Sequence, residues 1–133
     1  MATVLPTARF VPQSLRTWFL VHFALDTLFG LPLLFIPRFV LGIFNIPLTD
    51  TIAPRVVGAA LLAIGAISFI ANKADVETYD LLLNLKIIWS TAAMLAIFLA
   101  LLDGSPETGW IFFILFAIFF GTWVYYKQRI WRV

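Results

Sequence analysis

The sequence contains no cysteine, one histidine, and charged side chains at only 12% of its 133 positions. The missing cysteines remove disulfides, thiolate zinc sites, iron–sulfur clusters and thiol nucleophiles together. A single histidine, His22, excludes a bis-histidine haem or a multi-histidine metal centre within one chain. No G-x-S-x-G, Walker A, H-E-x-x-H or paired-carboxylate signature is present, which picks out no catalytic residue and leaves a cofactor to be held by backbone, carboxylates or a partner subunit. What fills the chain instead is apolar: 62% of residues are hydrophobic, and the mean hydropathy is +1.01. Soluble domains carry about 25% charge and roughly 45–50% apolar residues. A chain this short cannot hide so much apolar surface in one core. A soluble enzyme, a disordered segment and a collagen-like chain are thereby excluded. The composition points to an all-α polytopic membrane protein in one integral domain. The formal charge of +2, from nine bases and seven acids, is too slight and scattered for a nucleic-acid surface.

A spanning helix needs about 20 mostly apolar residues, and four stretches qualify, at about 17–36, 54–71, 79–102 and 108–126. The first is interrupted only by His22 and Asp26, and the fourth carries no charge. Ser14 is placed to cap the first span and Pro37 to close it. Pro54 suits a first helical position, where its missing N–H costs nothing. Asp103-Gly104-Ser105-Pro106 reads as a turn, making the third and fourth spans an antiparallel hairpin. Asn72 to Glu77 forms a short polar link between the second and third. The stretch from Pro37 to Asp50 is too apolar for a free loop and too short to span. It reads as an interfacial or re-entrant segment, or as a loop packed on the helix ends.

Bases divide unequally between the two sides. Arg9, Arg16, Lys73, Lys127, Arg129 and Arg132 fall on one, with Lys86 able to snorkel towards it, and Arg38 and Arg55 on the other. The positive-inside rule then puts both termini in the cytoplasm, in a plasma or inner membrane. Trp18, Trp123, Tyr125, Tyr126 and Trp131 form the inner aromatic belt and Trp110 marks the outer one. The aspartate in the first span, and the lack of an A-x-A site after it, argue against a signal peptide. No internal repeat links the two halves, which weakens an inverted-repeat transporter.

Asp26 lies about nine residues into the first span, where a carboxylate costs about 2.5–3.5 kcal/mol unless paired, protonated or functional. His22 and Gly30 share its face at i−4 and i+4. On the third span, Glu77, Asp80, Asn84 and Thr91 form one stripe, and Lys86 and Ser90 a neighbouring one. Comparable depth predicts an Asp26–Lys86 contact, with His22 and Asn84 completing a polar cluster. Such a cluster serves either as hydrogen-bonding glue between helices or as a proton- or ion-handling site. His22 alone suits ligation of a pigment magnesium or haem iron, or a satisfied interfacial position.

In the second span, Gly58 and Gly65 stand one heptad apart, and Ala59 and Ala63 form a small-xxx-small pair, all candidates for close helix packing. Pro32, after Gly30, predicts a kink. Phe112, Phe113, Phe116, Phe119 and Phe120 surround most of the fourth span, so some face lipid, a partner or a bound molecule. Trp89 is too deep for a belt tryptophan. With Phe116 and Phe120 it forms a candidate ligand or partner contact.

Leu31-Pro-Leu-Leu-Phe-Ile-Pro-Arg38, Ile46-Pro47 and the run Ala53 to Gly65 resemble small prokaryotic four-helix membrane proteins of the DoxX-like kind. The resemblance covers the first half of the chain and implies a four-helix bundle, without assigning a function. Three roles remain open. One is a non-enzymatic subunit or scaffold of a larger membrane complex, joined to other subunits or to copies of itself. Another is a small oligomeric transporter or channel using Asp26, Lys86 and His22. The third is an enzyme or binding protein for a lipid, quinone or pigment near Trp89 and the kink at Pro32. The sequence favours the first, because four helices leave little room for a pathway within one chain.

Overall fold

The computed structural model describes residues 9–131, and all regular structure among them is helical. Five helices follow one another: α1 (Gln13–Phe35), α2 (Pro37–Ile43), α3 (Ile52–Ile70), α4 (Val76–Leu102) and α5 (Gly109–Trp131), with a 3₁₀ turn at Ala71–Lys73. Helices α1, α4 and α5, and α3 with its 3₁₀ turn, are long and apolar enough to cross a membrane.

Several boundaries differ from expectation for local reasons. Helix α1 begins at Gln13 after Pro12, with no side-chain cap, so Ser14 lies inside the helix. It runs on through Pro32 to Phe35. At its end, where the last carbonyls lack intrahelical partners, Arg55 of α3 donates through Nη1 to the carbonyl of Leu34. Pro54 is the third residue of α3, within the first turn, where N–H groups lack intrahelical partners. Asp75 caps α4 by accepting from Thr78 N at 2.9 Å, so the polar link is shorter than Asn72 to Glu77. Helix α5 continues to Trp131, past the expected end at Tyr126. The turn at Asp103–Pro106 is present, with Gly104 at φ +92°.

The apolar link becomes α2. Pro37 opens it, fixing φ where a donor is not needed, and Asn45 at φ +54° ends the segment, a backbone region asparagine tolerates. Val40 is buried against Leu33 and Leu61, whereas Phe39 and Ile43 face outward. The link therefore packs as a short helix across the ends of α1 and α3.

The helices form two antiparallel pairs that differ in how closely they meet. In the α1–α3 pair a Cβ added at Gly58 would lie 2.8 Å from the backbone of Gly30 and Leu34, and one at Gly65 would lie 2.7 Å from Asp26 Cβ. Backbone touches backbone there, as small residues allow without any hydrophobic drive. Ala59 and Ala63, expected to share this contact, are exposed. Each lies about 100° or more round the helix from the Gly58, Leu61, Gly65 and Ser68 face. The α4–α5 pair closes through Gly109 on Leu101 and through Lys127 and Trp131 on Asp80, at 2.7 and 2.9 Å.

Between the pairs the contact is made by long side chains. Phe19 of α1 stacks at 4.4 Å on Tyr79 of α4 and meets Trp123 of α5 edge-on at 5.6 Å. Leu15, Leu83, Phe119, Tyr126 and Ile130 complete this aromatic core. The bases expected on one side gather at its end: Arg9 pairs with Glu77, and Arg16 donates to the carbonyls of Asn72 and Ala74. Arg132, counted with them, lies outside the described residues. The outer surface remains apolar, with Ile70, Leu81 and Ile88 each about two-thirds exposed or more.

Gly58→Ala is expected to destabilise the detergent-solubilised protein by about 1–3 kcal/mol through overpacking. Gly121 of α5 has open space around its Cβ position, so Gly121→Ala should be neutral or stabilising by about 0.5–1 kcal/mol. Thermal unfolding of both variants checks the pair, and equal losses would refute the assigned α1–α3 contact.

Candidate functional site

Next to the aromatic core, α4 turns Lys86 inward. The side chain is 1% exposed and does not snorkel outward, because its ammonium finds partners inside. Nζ lies 2.6 Å from His22 Nδ1 and 2.7 Å from Ser68 Oγ, and 4.6 and 5.0 Å from the ring centres of Phe19 and Trp123. An ammonium has three hydrogens and no acceptor capacity. It donates to His22 Nδ1, to Ser68 Oγ and towards the aromatic faces. Ser68 passes its own proton to the carbonyl of Ile64 at 2.8 Å. A neutral His22 with its proton on Nε2 fits this pattern.

The expected Asp26–Lys86 contact takes a different form. Lys86 reaches the histidine one turn away, and Asp26 Oδ2 lies 3.4 Å from His22 Nδ1, too long for a good hydrogen bond. Asp26 Oδ2 has no hydrogen-bond partner, although the residue is only 5% exposed. Asn84, placed in the cluster by sequence, is exposed on the far side of α4. Two residues from Lys86 is about 200° of helix, so both cannot face the bundle centre. Its stripe mates follow it outward: Glu77 and Thr91 are exposed, and Asp80 pairs with Lys127. Ser68 takes the place expected for Asn84. Its signal was present in the sequence: ten residues after Gly58 and three after Gly65, it continues the glycine face of α3.

Beyond the cluster the two helix pairs part around a half-open cleft. A cavity of about 650 Å³ runs between the pairs from His22, Asp26 and Trp89 to Ile46, Pro54 and Ser105. Its length follows α4 from Trp89 to Leu101, about 18 Å at 1.5 Å per residue. The cause lies in side-chain size along α4. Tyr79, Leu83 and Lys86 fill the gap between pairs, but Ala92, Ala93, Ala96 and Ala100 cannot, and these alanines form the cavity wall. Read in the sequence, such a stripe suggests helix packing, and only the spacing imposed by the aromatic core turns it into a void. Helix α2 and the Thr108–Phe44 hydrogen bond lie at the far end, with Phe44 against Phe112 at 4.6 Å.

Trp89 and Phe116, singled out as contact residues, both line this cavity and pack edge to face at 6.2 Å. Phe120 does not line it. It is turned about 100° from Phe119, which does. Trp89 Nε1 is buried without a hydrogen-bond partner. Among the described residues, no cluster of three or more His, Asp or Glu is placed to hold a metal.

No family model matches the chain, and no curated protein or solved structure is similar enough to count as a relative. The DoxX-like resemblance thus stands on the quoted residues alone.

Ser68→Ala removes one partner of a buried ammonium and is expected to cost about 1.5–3 kcal/mol. Asn84→Ala should stay within about 0.5 kcal/mol. Side-by-side thermal unfolding in one detergent tests this, and similar losses would place the Lys86 ammonium elsewhere.

Proposed function

We propose that this chain is an integral membrane protein that binds an elongated hydrophobic molecule between its two helix pairs. The observation that carries this reading is the half-open apolar cavity of about 650 Å³ that Asp26 helps to line. Ligand sites commonly span about 300–1,000 Å³, apolar with a few placed polar groups. Water gains few hydrogen bonds against alanine, leucine and phenylalanine walls. Hydrocarbon is the occupant that suits them. The apolar outer surface supports insertion in a plasma or inner membrane, and the bases gathered at one end support both termini in the cytoplasm.

This reading displaces the subunit or scaffold role from first place, because a scaffold needs no cavity. Assembly remains a second reading, favoured by one observation. Ala59 and Ala63 form a small-xxx-small pair turned away from α1, a surface on which a helix of another chain, or of a second copy, packs closely.

The protein extracted gently from its own membrane is expected to carry one hydrophobic molecule per chain, detected by native mass spectrometry. Ala96→Trp fills the cavity and should abolish that adduct while leaving the protein at least as stable to heat. Equal adducts in both proteins would refute binding in this cavity. The same spectra test assembly: under the second reading, Ala59→Trp dissociates an oligomer or partner that the unaltered chain retains.

A further inference from the structure

Resting on the binding reading above, we propose that the cavity takes one acyl chain of a membrane phospholipid, drawn from the leaflet away from the protein's termini. The methyl end of that acyl chain lies beside Trp89, and the head group stays at the membrane surface.

The cavity is confined to one leaflet. His22, Leu61, Trp89 and Phe119 stand near the middle of α1, α3, α4 and α5 and mark its inner limit. Every other lining residue belongs to the half of the bundle that holds α2 and the Asp103–Pro106 turn. The half nearer the termini is filled by the aromatic core, where Phe19, Tyr79, Leu83 and Trp123 are fully buried. The space therefore ends near the bilayer midplane. Its length of about 18 Å along α4 is close to the ~15 Å that one leaflet contributes to a hydrocarbon core of about 30 Å. One acyl chain fills that depth.

The open side of the cavity faces lipid. Between α1 and α5 the wall is shut by Phe29 against Phe112 at 6.1 Å, and the lining residues of both helices are buried or half-buried. Val57 of α3 and Ala92 and Ala96 of α4 line the cavity and are exposed. The slot thus lies between α3 and α4, flanked by the exposed apolar side chains of Val56 and Leu95. An acyl chain already in the leaflet can enter sideways, while the second chain of the same lipid remains in the bilayer.

The methyl end goes in first. At the inner limit Nδ1 of His22 is engaged by Lys86 and the Asp26 side chain is packed on Gly65, and the walls beyond are alanine, leucine and phenylalanine. A phosphate-bearing head carried to that depth would exchange its water for carbon, the costliest place for charge. At the other end the cavity reaches Ser105 in the exposed turn between α4 and α5, where a head group keeps its water.

The test uses the full-length protein in nanodiscs of phosphatidylcholine brominated either near the methyl end of one acyl chain or near its carbonyl. Trp89 fluorescence is isolated by subtracting the Trp89→Phe protein. The cavity's share of its quenching is the part lost in Ala96→Phe and, independently, in Ala100→Phe, which fill the slot at two depths. That share is expected to be severalfold larger with methyl-end bromine, since quenching needs close approach. Equal shares, or a larger one from carbonyl-end bromine, would overturn the proposal. No share from either lipid, with one from bromohexadecane added to unbrominated nanodiscs, would leave a hydrocarbon site that phospholipid chains do not enter and would refute the proposal alone. No share from any of these probes would refute the binding reading itself.

Discussion

The ammonium of Lys86 is the constraint on which the arrangement of this protein turns. Held by α4, it must find three acceptors or π-faces away from water, and it finds them on α1, α3 and α5 together. In hydrocarbon, apolar side chains gain little by leaving lipid for one another, so polar and close-packed contacts decide which helices associate. Lys86 supplies the polar tie between two pairs that otherwise meet through bulky rings. Its burial also explains why Phe19, Tyr79, Phe119 and Trp123 are where they are: they exclude competing water and present the faces a cation prefers.

Two distances between helices follow, and they divide the labour of the fold. Within the α1–α3 pair, Gly30, Gly58 and Gly65 let the backbones touch, which leaves no space for anything between them. Between the pairs, the rings around Lys86 hold the helices apart. Wherever large side chains continue, that gap is core. Where α4 changes to alanine, the gap persists and becomes a cavity. The apolar link that folds as α2 covers the end of this space, which accounts for a segment too hydrophobic for a loop and too short for a span.

The polar cluster consequently has two faces. Towards the aromatic core it is closed and fully bonded, a structural knot of Lys86, His22 and Ser68. Towards the cavity it presents Asp26, which none of those bonds includes.

Composition and local pattern were enough to read the helical class, the four long apolar segments, the turn at Gly104, and the shared face of His22 and Asp26. These depend on chain-local quantities: length of apolar run, turn chemistry, and the helical repeat. The partner of Lys86, the outward turn of Asn84, Ala59 and Ala63, the exclusion of Phe120, and the cavity itself were decided by tertiary structure. A helix that is apolar almost all round carries no sequence record of which side faces inward. The sequence fixes which residues share a face; the rotation of that face about the helix axis is set by the other helices. The alanines of α4 show the consequence most plainly, for they close a gap or line a void according to how far a lysine and its aromatic ring of neighbours, several residues away, hold the next helices apart.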